Sequence, residues 1–192
     1  MAKIFDGIDA KLADWIRAQA LFFVGTAPGG GDGHVNVSPK GPIGSLRIGG
    51  PLEVAYLDHV GSGSETIAHL RDNGRICVML CAFEGAPRIV RLHGCGEAHQ
   101  VGSPEFAALA ARLGFEPGPG ARSIIRVDLE RIADSCGFDV PLLQAAGDRP
   151  QRDAWQENQV ARHGPAALVG YIRENNAASI DGLPAVDVAA LP

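Results

Sequence analysis

The residues best suited to chemistry lie in a Gly/Ser-rich turn at residues 61–66, between a predicted strand and a predicted short helix. Ser62 and Glu65 have the spacing of a capping box, in which Ser62 accepts from the backbone N–H of Glu65 and Glu65 reaches back to Ser62. The free N–H groups and hydroxyls at such a helix start can also bind a phosphate at the positive end of the helix dipole. The turn alone therefore predicts either a plainly capped helix or a phosphate site.

Two cations and the histidines are the other side chains that could carry function. Lys40 lies in a Ser-Pro-Lys-Gly stretch and is either a phosphate-neutralising group or a solvated loop lysine. Arg91 lies within a predicted strand, where an unpaired charge is costly, so we expect it to have an anionic partner. The histidines form no ligand cluster, and His34 is the best exception to a structural role because it flanks a strand beside the turn.

The four cysteines predict reduced thiols and no metal site. None forms a Cys-x-x-Cys pair, and Cys77 and Cys81 lie in an apolar run. Metal sites require a ligand spacing that is missing here. We therefore expect buried, unpaired thiols of the kind found in reducing compartments.

Composition limits the class of protein. The chain has 192 residues, of which 46% are hydrophobic, a formal net charge of −5 and a pI of about 5.6. These values suit one domain with a real core and give no electrostatic footprint for nucleic-acid binding. No apolar run approaches the roughly 20 residues of a membrane span, and the start lacks the apolar region of a signal peptide. The expectation is a cytoplasmic protein with no membrane partner.

Hydrophobic periodicity and breakers predict a mainly β chain. Predicted strands cover 21–26, 34–38, 46–48, 52–57, 75–83, 88–98 and 123–129, with Pro39 ending the second strand. Predicted helices lie near 9–20, 65–73, 103–113, 148–162 and 165–174. Short connections without a βαβ repeat favour an antiparallel barrel. The core is predicted at about 21–140, and the helical extension at about 141–192 could not bury a core of its own.

The chain from about residue 21 to 129 resembles the pyridoxamine 5′-phosphate oxidase-like superfamily of FMN-binding split barrels. Three segments carry the resemblance in order: the strand at 34–41, the turn and helix at 61–74, and the strand at 88–94. The later segments 134–141 and 179–184 resemble those of an uncharacterised subgroup of the same superfamily.

The resemblance implies an antiparallel six-stranded split β-barrel with a helical C-terminal extension. It also implies a homodimer that holds FMN in each of two clefts between subunits. Residues 35–38 would run under the flavin ring, the turn would hold the phosphate, and a later strand would approach the cofactor. The implied cofactor residues are Val35, Asn36, Val37, Ser38, Lys40, Ser62, Ser64, Glu65, Thr66, Ile89 and Arg91.

Departures from the family pattern separate this chain from the named vitamin oxidase. The oxidase has an arginine–lysine pair where this chain has Glu65 and Thr66, and an arginine where it has Val35. The closing Arg-x-His motif of the oxidase is missing. The phosphate therefore needs another cation, for which the candidates are Lys40, Arg88, Arg91 and Arg126.

The functional hypothesis that follows is an FMN-dependent oxidoreductase acting on a small-molecule substrate. Hydride would pass through the flavin N5, while the protein supplies position and charge. No residue is identified as a catalytic acid or base. The alternatives are a non-catalytic flavin carrier or redox sensor, and a split barrel that binds haem or a deazaflavin.

Overall fold

The computed structural model describes residues 3–191. The strands are β1 (Ile4–Phe5), β2 (Phe22–Thr26), β3 (Asn36–Lys40), β4 (Leu46–Gly50), β5 (Glu53–His59), β6 (Arg75–Cys81), β7 (Ile89–Gln100) and β8 (Ala121–Ser135). The helices are α1 (Ala10–Arg17), α2 (Glu65–Asn73), α3 (Pro104–Leu113), α4 (Gln151–His163) and α5 (Ala167–Asn175). Within this range no helix is long and apolar enough to cross a membrane.

All the strands join one antiparallel sheet, in the order β3-β2-β6-β7-β8-β5-β4, with β1 added beside β8. The sheet is open, but it curls so that β2 and β5 meet across it: the rings of Phe22 and Tyr56 lie 5.3 Å apart. This confirms the mainly β, antiparallel split-barrel fold. The described residues form eight strands where the resemblance implied six, and the additions include the two-residue β1.

The core lies inside the curled sheet, as strand alternation requires. On β7 the side chains of Val90 and Leu92 are fully buried, while Ile89, Arg91 and His93 lie on the opposite face and are half-buried. The pairing register of β7 against β8 shifts between His93 and Gly94. The long β7–β8 pair is therefore the frame on which the shorter strands are arranged.

Local signals set three of the helix ends. Asp9 accepts a hydrogen bond from the Leu12 N–H at 2.7 Å, and Ser103 accepts from the Phe106 N–H at 3.1 Å. Gly74 ends α2 in the left-handed region, with φ of 72°. Glycine is favoured there because it has no Cβ to clash with the backbone.

Two strand boundaries differ from the prediction. Pro39 lies inside β3 and pairs with Phe23, so the expectation that it ends the strand was wrong. An edge strand has only one neighbour, so half of its N–H groups point away from the sheet and a proline is tolerated. Likewise β8 extends to Ser135, well beyond the predicted end at 129, because β1 and β7 both pair with its second half.

The C-terminal extension packs on the barrel. Trp155 of α4 contacts Tyr171 of α5 edge to face, with the ring centroids 5.2 Å apart. Leu168 and Ile172 of α5 are buried, and Ile172 belongs to the same apolar cluster as the barrel strands. The extension therefore adds to the main core and brings the residues after α5 back to the barrel.

Candidate functional site

The turn at residues 61–66 begins α2, but its capping differs from the prediction. Ser64, not Ser62, is the N-cap residue, and its side chain makes no cap hydrogen bond. Ser64 Oγ instead donates to the carbonyl of Ala178 at 3.1 Å, and Glu65 Oε1 accepts from the Ile180 N–H at 3.3 Å. The predicted capping box of Ser62 and Glu65 is therefore wrong, because α2 begins two residues later than that box requires and a distant segment binds Glu65.

The first turn of α2 consequently keeps its N–H groups free. The first intrahelical bond is donated by Ala68 to the Ser64 carbonyl. Within residues 3–191 the N–H groups of Glu65, Thr66 and Ile67 have no hydrogen-bond partner. Uncapped N–H groups at the positive end of a helix are suited to an anion.

A cavity of about 320 Å³ opens in front of this helix start. Seven of the residues predicted to bind a cofactor lie around it: Asn36, Ser38, Lys40, Ser62, Ser64, Glu65 and Thr66. Asp58, His59 and Arg122 complete much of the remaining wall. The structure thus brings together the strand β3 and the Gly/Ser-rich turn at residues 61–66, which are separate in sequence.

A chain of hydrogen bonds fixes the floor of the cavity. Asn36 Nδ2 donates to Thr26 Oγ1 and to Thr66 Oγ1, both at 3.1 Å, and Ser38 Oγ donates to Asn36 Oδ1 at 2.8 Å. The Thr26 hydroxyl also lies 3.0 Å from Nδ1 of His69, a fully buried side chain of α2, so the hydrogen-bonded chain continues into the core.

Two cations converge on one carboxylate at the wall of the cavity. Asp58 Oδ2 accepts from Arg122 Nε at 2.8 Å, and Asp58 Oδ1 lies 3.3 Å from Lys40 Nζ. Arg122 Nη1 also donates to the carbonyl of Gly63 in the turn, at 2.9 Å. Burial acts to raise the pKa of Asp58, but Arg122 and Lys40 outweigh it and hold the pKa below the ordinary value. Asp58 is therefore ionised at neutral pH.

Arg122 is the cation that the sequence reasoning missed. It is buried at the start of β8, yet within residues 3–191 its Nη2 has no hydrogen-bond partner. A charged residue at the head of the apolar run 121–127 was the signal available in the sequence. A buried arginine needs a buried acid, and Asp58, which follows the apolar residues 54–57 of β5, was the matching one.

The other cation candidates lie elsewhere. Arg88 pairs with Asp134 at 3.1 Å, and Arg126 pairs with Asp128 on the same strand. Arg91 Nη1 donates to the Ser135 hydroxyl at 3.0 Å. No carboxylate within residues 3–191 pairs with Arg91, so the expected anionic partner is not found in that range.

Four predicted cofactor residues lie outside the cavity. Val35 and Val37 are 73% and 65% exposed, and their side chains are directed away from the side of β3 that carries Asn36 and Ser38. Ile89 and Arg91 are on β7, on the outer face of the sheet. These four residues would need another molecule to join them to the site.

His59 and Tyr56 are the titratable side chains beside the site whose pKa values shift towards the neutral form. Burial, followed by the charge of Arg152, lowers the pKa of His59. Burial, followed by the charge of Asp58, raises the pKa of Tyr56 well above its ordinary value. His34 instead binds Asp181, at 2.6 Å from Nδ1 to Oδ1. The arrangement therefore supplies hydrogen bonds and positive charge and does not present an activated nucleophile.

The cysteines carry no site. All four are unpaired, and no group of three or more His, Cys, Asp or Glu side chains within residues 3–191 could hold a metal ion. Burial raises the pKa of Cys77 and of Cys81, which makes both thiols less reactive.

A family model and a curated protein both match this sequence. The family model described as pyridoxamine 5′-phosphate oxidase matches residues 8–136. A curated relative, the pyridoxamine 5′-phosphate oxidase family protein ustO of Aspergillus flavus, is 39% identical over 202 residues, which span 98% of this chain and 80% of the relative.

Solved structures agree on the fold. HupZ of Group A Streptococcus superimposes with a TM-score of 0.51 and 23% identity, over 65% of this chain and 91% of HupZ. A point variant of HupZ gives a TM-score of 0.53 at 23% identity, over 67% of this chain and 99% of that one. At this identity the likeness concerns the fold alone.

Proposed function

The chain belongs to the pyridoxamine 5′-phosphate oxidase family, and we propose that it is a flavoprotein of that family that binds FMN in the cavity in front of α2. One observation supports this above the others. Glu65 and Thr66, whose N–H groups at the start of α2 are unpartnered within residues 3–191, border the same cavity as the two cations Lys40 and Arg122. Backbone donors and positive charge at one end of a polar cavity match the requirements of a phosphate.

The residues present fit a phosphorylated flavin in charge as well as in hydrogen bonding. Lys40 and Arg122 share Asp58, and each keeps N–H groups that no protein acceptor uses within residues 3–191. In this assignment Arg122 and Lys40 bind the phosphate, and Asp58 orients both cations. Asn36 and Ser38 lie further along β3 and present polar side chains to the rest of the ligand.

A bound flavin would supply hydride transfer at its N5, which makes an oxidoreductase acting on a small molecule the proposed activity. The protein's part is to hold the cofactor and to set the charge around it. The carboxylate of Glu65 borders the cavity and remains an acceptor for hydroxyl groups, since only Oε1 is used by the Ile180 N–H.

We propose a homodimer as the functional state. The apolar side chains of Val35 and Val37 are exposed on an edge strand that also lines the cavity. A second subunit seated there would cover them and would bring further groups to the cofactor. A two-fold dimer is the commonest way to bury such a surface. Light scattering of the purified protein tests this, and a monomer at micromolar concentration would contradict it.

The purified protein tests the cofactor directly. We expect a yellow protein with a flavin absorption spectrum, or an apoprotein that takes up FMN at low-micromolar affinity or better in a calorimeter. Riboflavin, which lacks the phosphate, should bind more weakly. A haem or deazaflavin spectrum would identify that group as the cofactor in place of FMN. A colourless protein that binds none of these ligands would refute the proposal.

A non-catalytic flavin carrier or sensor is the second candidate. It needs the same turn and the same two cations beside the cavity, but no group that acts on a substrate. Stopped-flow reduction by NADH or NADPH separates the two functions. An oxidoreductase gives reduction and turnover with an acceptor, whereas a carrier binds flavin without turnover.

A further inference from the structure

The segment after α5 folds back over the start of α2. Residues 176–184, here called the terminal hairpin, are closed by the bridge between Ala178 and Pro184 and by a bond from the Ser179 N–H to the Leu183 carbonyl at 2.9 Å. The family model ends at residue 136, so the hairpin lies outside the matched region.

Three hydrogen bonds fasten the hairpin to the phosphate turn. Asn176 is fully buried, and its Nδ2 donates to the Gly61 carbonyl at 3.0 Å. The Ala178 carbonyl accepts from Ser64, and the Ile180 N–H donates to Glu65. The hairpin therefore contacts the beginning, the middle and the end of the turn.

A second attachment joins the hairpin to the residue before β3. The Asp181 carboxylate accepts from the backbone N–H of His34 at 2.8 Å through Oδ2, and its Oδ1 lies 2.6 Å from His34 Nδ1. Hydrogen bonds from the His34 side chain and backbone lower the pKa of Asp181. Asp181 thus holds the hairpin against the strand that forms the other side of the cavity.

The hairpin binds two side chains that could otherwise cap the start of α2. Ser64 is the N-cap residue, and a serine there normally accepts from the N–H two or three residues later. A glutamate in the first turn can likewise reach nearby N–H groups. In this chain both side chains are engaged by the hairpin, and the N–H groups of residues 65–67 stay unpartnered.

We propose that the terminal hairpin keeps the phosphate site open by holding Ser64 and Glu65 away from the helix start, and that Asp181 is the positioning residue that secures it. The proposal rests on the proposed function, because the open N–H groups matter only for a phosphorylated ligand. When the hairpin is loosened, Ser64 turns back and caps α2 with the same N–H groups that the phosphate would use.

The main test is Asp181→Ala, with FMN and riboflavin titrated into wild type and variant. We expect FMN affinity to fall about fivefold to tenfold, because the one or two hydrogen bonds that hold the hairpin in place are lost. Riboflavin affinity should be unchanged. Asp187→Asn is the matched control, because Asp187 lies in the same tail beyond the hairpin and should alter neither ligand. An equal loss for both ligands, or no loss for either, would overturn the proposal.

A double variant separates competition by the Ser64 hydroxyl from a general loss of structure. Ser64→Ala introduced into Asp181→Ala removes the hydroxyl that would cap the helix, so FMN affinity should recover towards wild type. Failure to recover, in a variant with wild-type circular dichroism, counts against competition by Ser64.

Hydrogen exchange of the flavin-free protein separates this proposal from the proposed function. In Asp181→Ala the amides of residues 65–67 should exchange more slowly, because they gain a cap, while those of the hairpin exchange faster. This result can be obtained even if FMN does not bind. Faster exchange at residues 65–67 would show that the hairpin only shields them.

Discussion

Replacing Arg122 by methionine should destabilise the protein in a pH-dependent way. The substitution leaves the Asp58 carboxylate buried without its 2.8 Å partner. Removing one partner of a buried ion pair costs about 3–5 kcal/mol. Lys40 remains 3.3 Å from Asp58 and offsets part of this, so we expect the free energy of unfolding to fall by about 3 kcal/mol at neutral pH. The melting temperature should fall by roughly 6–12 °C for a chain of this size.

The sign of the pH effect follows from the pKa of Asp58. In the wild type this pKa lies below the ordinary value for an aspartate, so its contribution to stability is present above the unfolded-state pKa and is lost as the pH falls through the folded-state pKa. In Arg122→Met burial acts with less opposition, and the folded-state pKa rises above the unfolded one. The ionised carboxylate then destabilises the variant at high pH, and protonation relieves the penalty as the pH falls.

Urea unfolding of both proteins at about pH 7.5 and about pH 4.5 measures the effect, and the difference between them should shrink at the lower pH. Arg126→Met is the control on the same strand. Its partner Asp128 is 57% exposed, so the pair is worth about 0–1 kcal/mol at either pH. A penalty for Arg122→Met that is as small as the control, or independent of pH, would refute the assignment of Asp58 as a buried carboxylate stabilised mainly by Arg122.

Three further substitutions test the site and the fold. Lys40→Gln should weaken FMN binding about tenfold in a fluorescence titration and leave riboflavin unaffected, because only the phosphate would contact the ammonium group. Gly94→Ala should lower the free energy of unfolding by about 2–3 kcal/mol, since a Cβ there would lie 2.0 Å from the Asp128 carbonyl oxygen; unchanged stability would contradict the close approach of β7 and β8. Ser103→Ala should lower the free energy of unfolding by about 1 kcal/mol, because a helix cap is lost, whereas Ser62→Ala should change it by less than about 0.5 kcal/mol. A larger loss for Ser62→Ala than for Ser103→Ala in thermal unfolding would support the predicted capping box.

The secondary structure was largely predictable from sequence because its causes are local. Asp9 and Ser103 begin helices and Gly74 ends one, since each acts on N–H or carbonyl groups within four residues. Alternation of apolar residues predicted β7 with its buried face for the same reason. The split-barrel fold followed from the order of these segments together with the family resemblance.

The cofactor residues were predictable only in part. The turn and β3 were expected to meet, and Asn36, Ser38 and Lys40 do border one cavity with the turn. Val35 and Val37 face outwards because successive residues of a strand point to opposite sides. The sequence named the strand that lines the site, but the twist and pairing of the sheet decided which half of its residues reach it.

The tertiary structure alone decided which charges lie near the N-terminus of α2 and how that helix start is capped. The Asp58–Arg122 pair joins residues 64 apart in the chain, and the bonds of Ser64 and Glu65 to the terminal hairpin span 114 and 115 residues. Local rules assigned Glu65 to a capping box with Ser62, which was the best partner within reach in a short segment. Folding brought a competing partner from the far end of the chain. No local sequence pattern predicts this contact between the hairpin and α2, because it depends on the strand register and on the packing of α5.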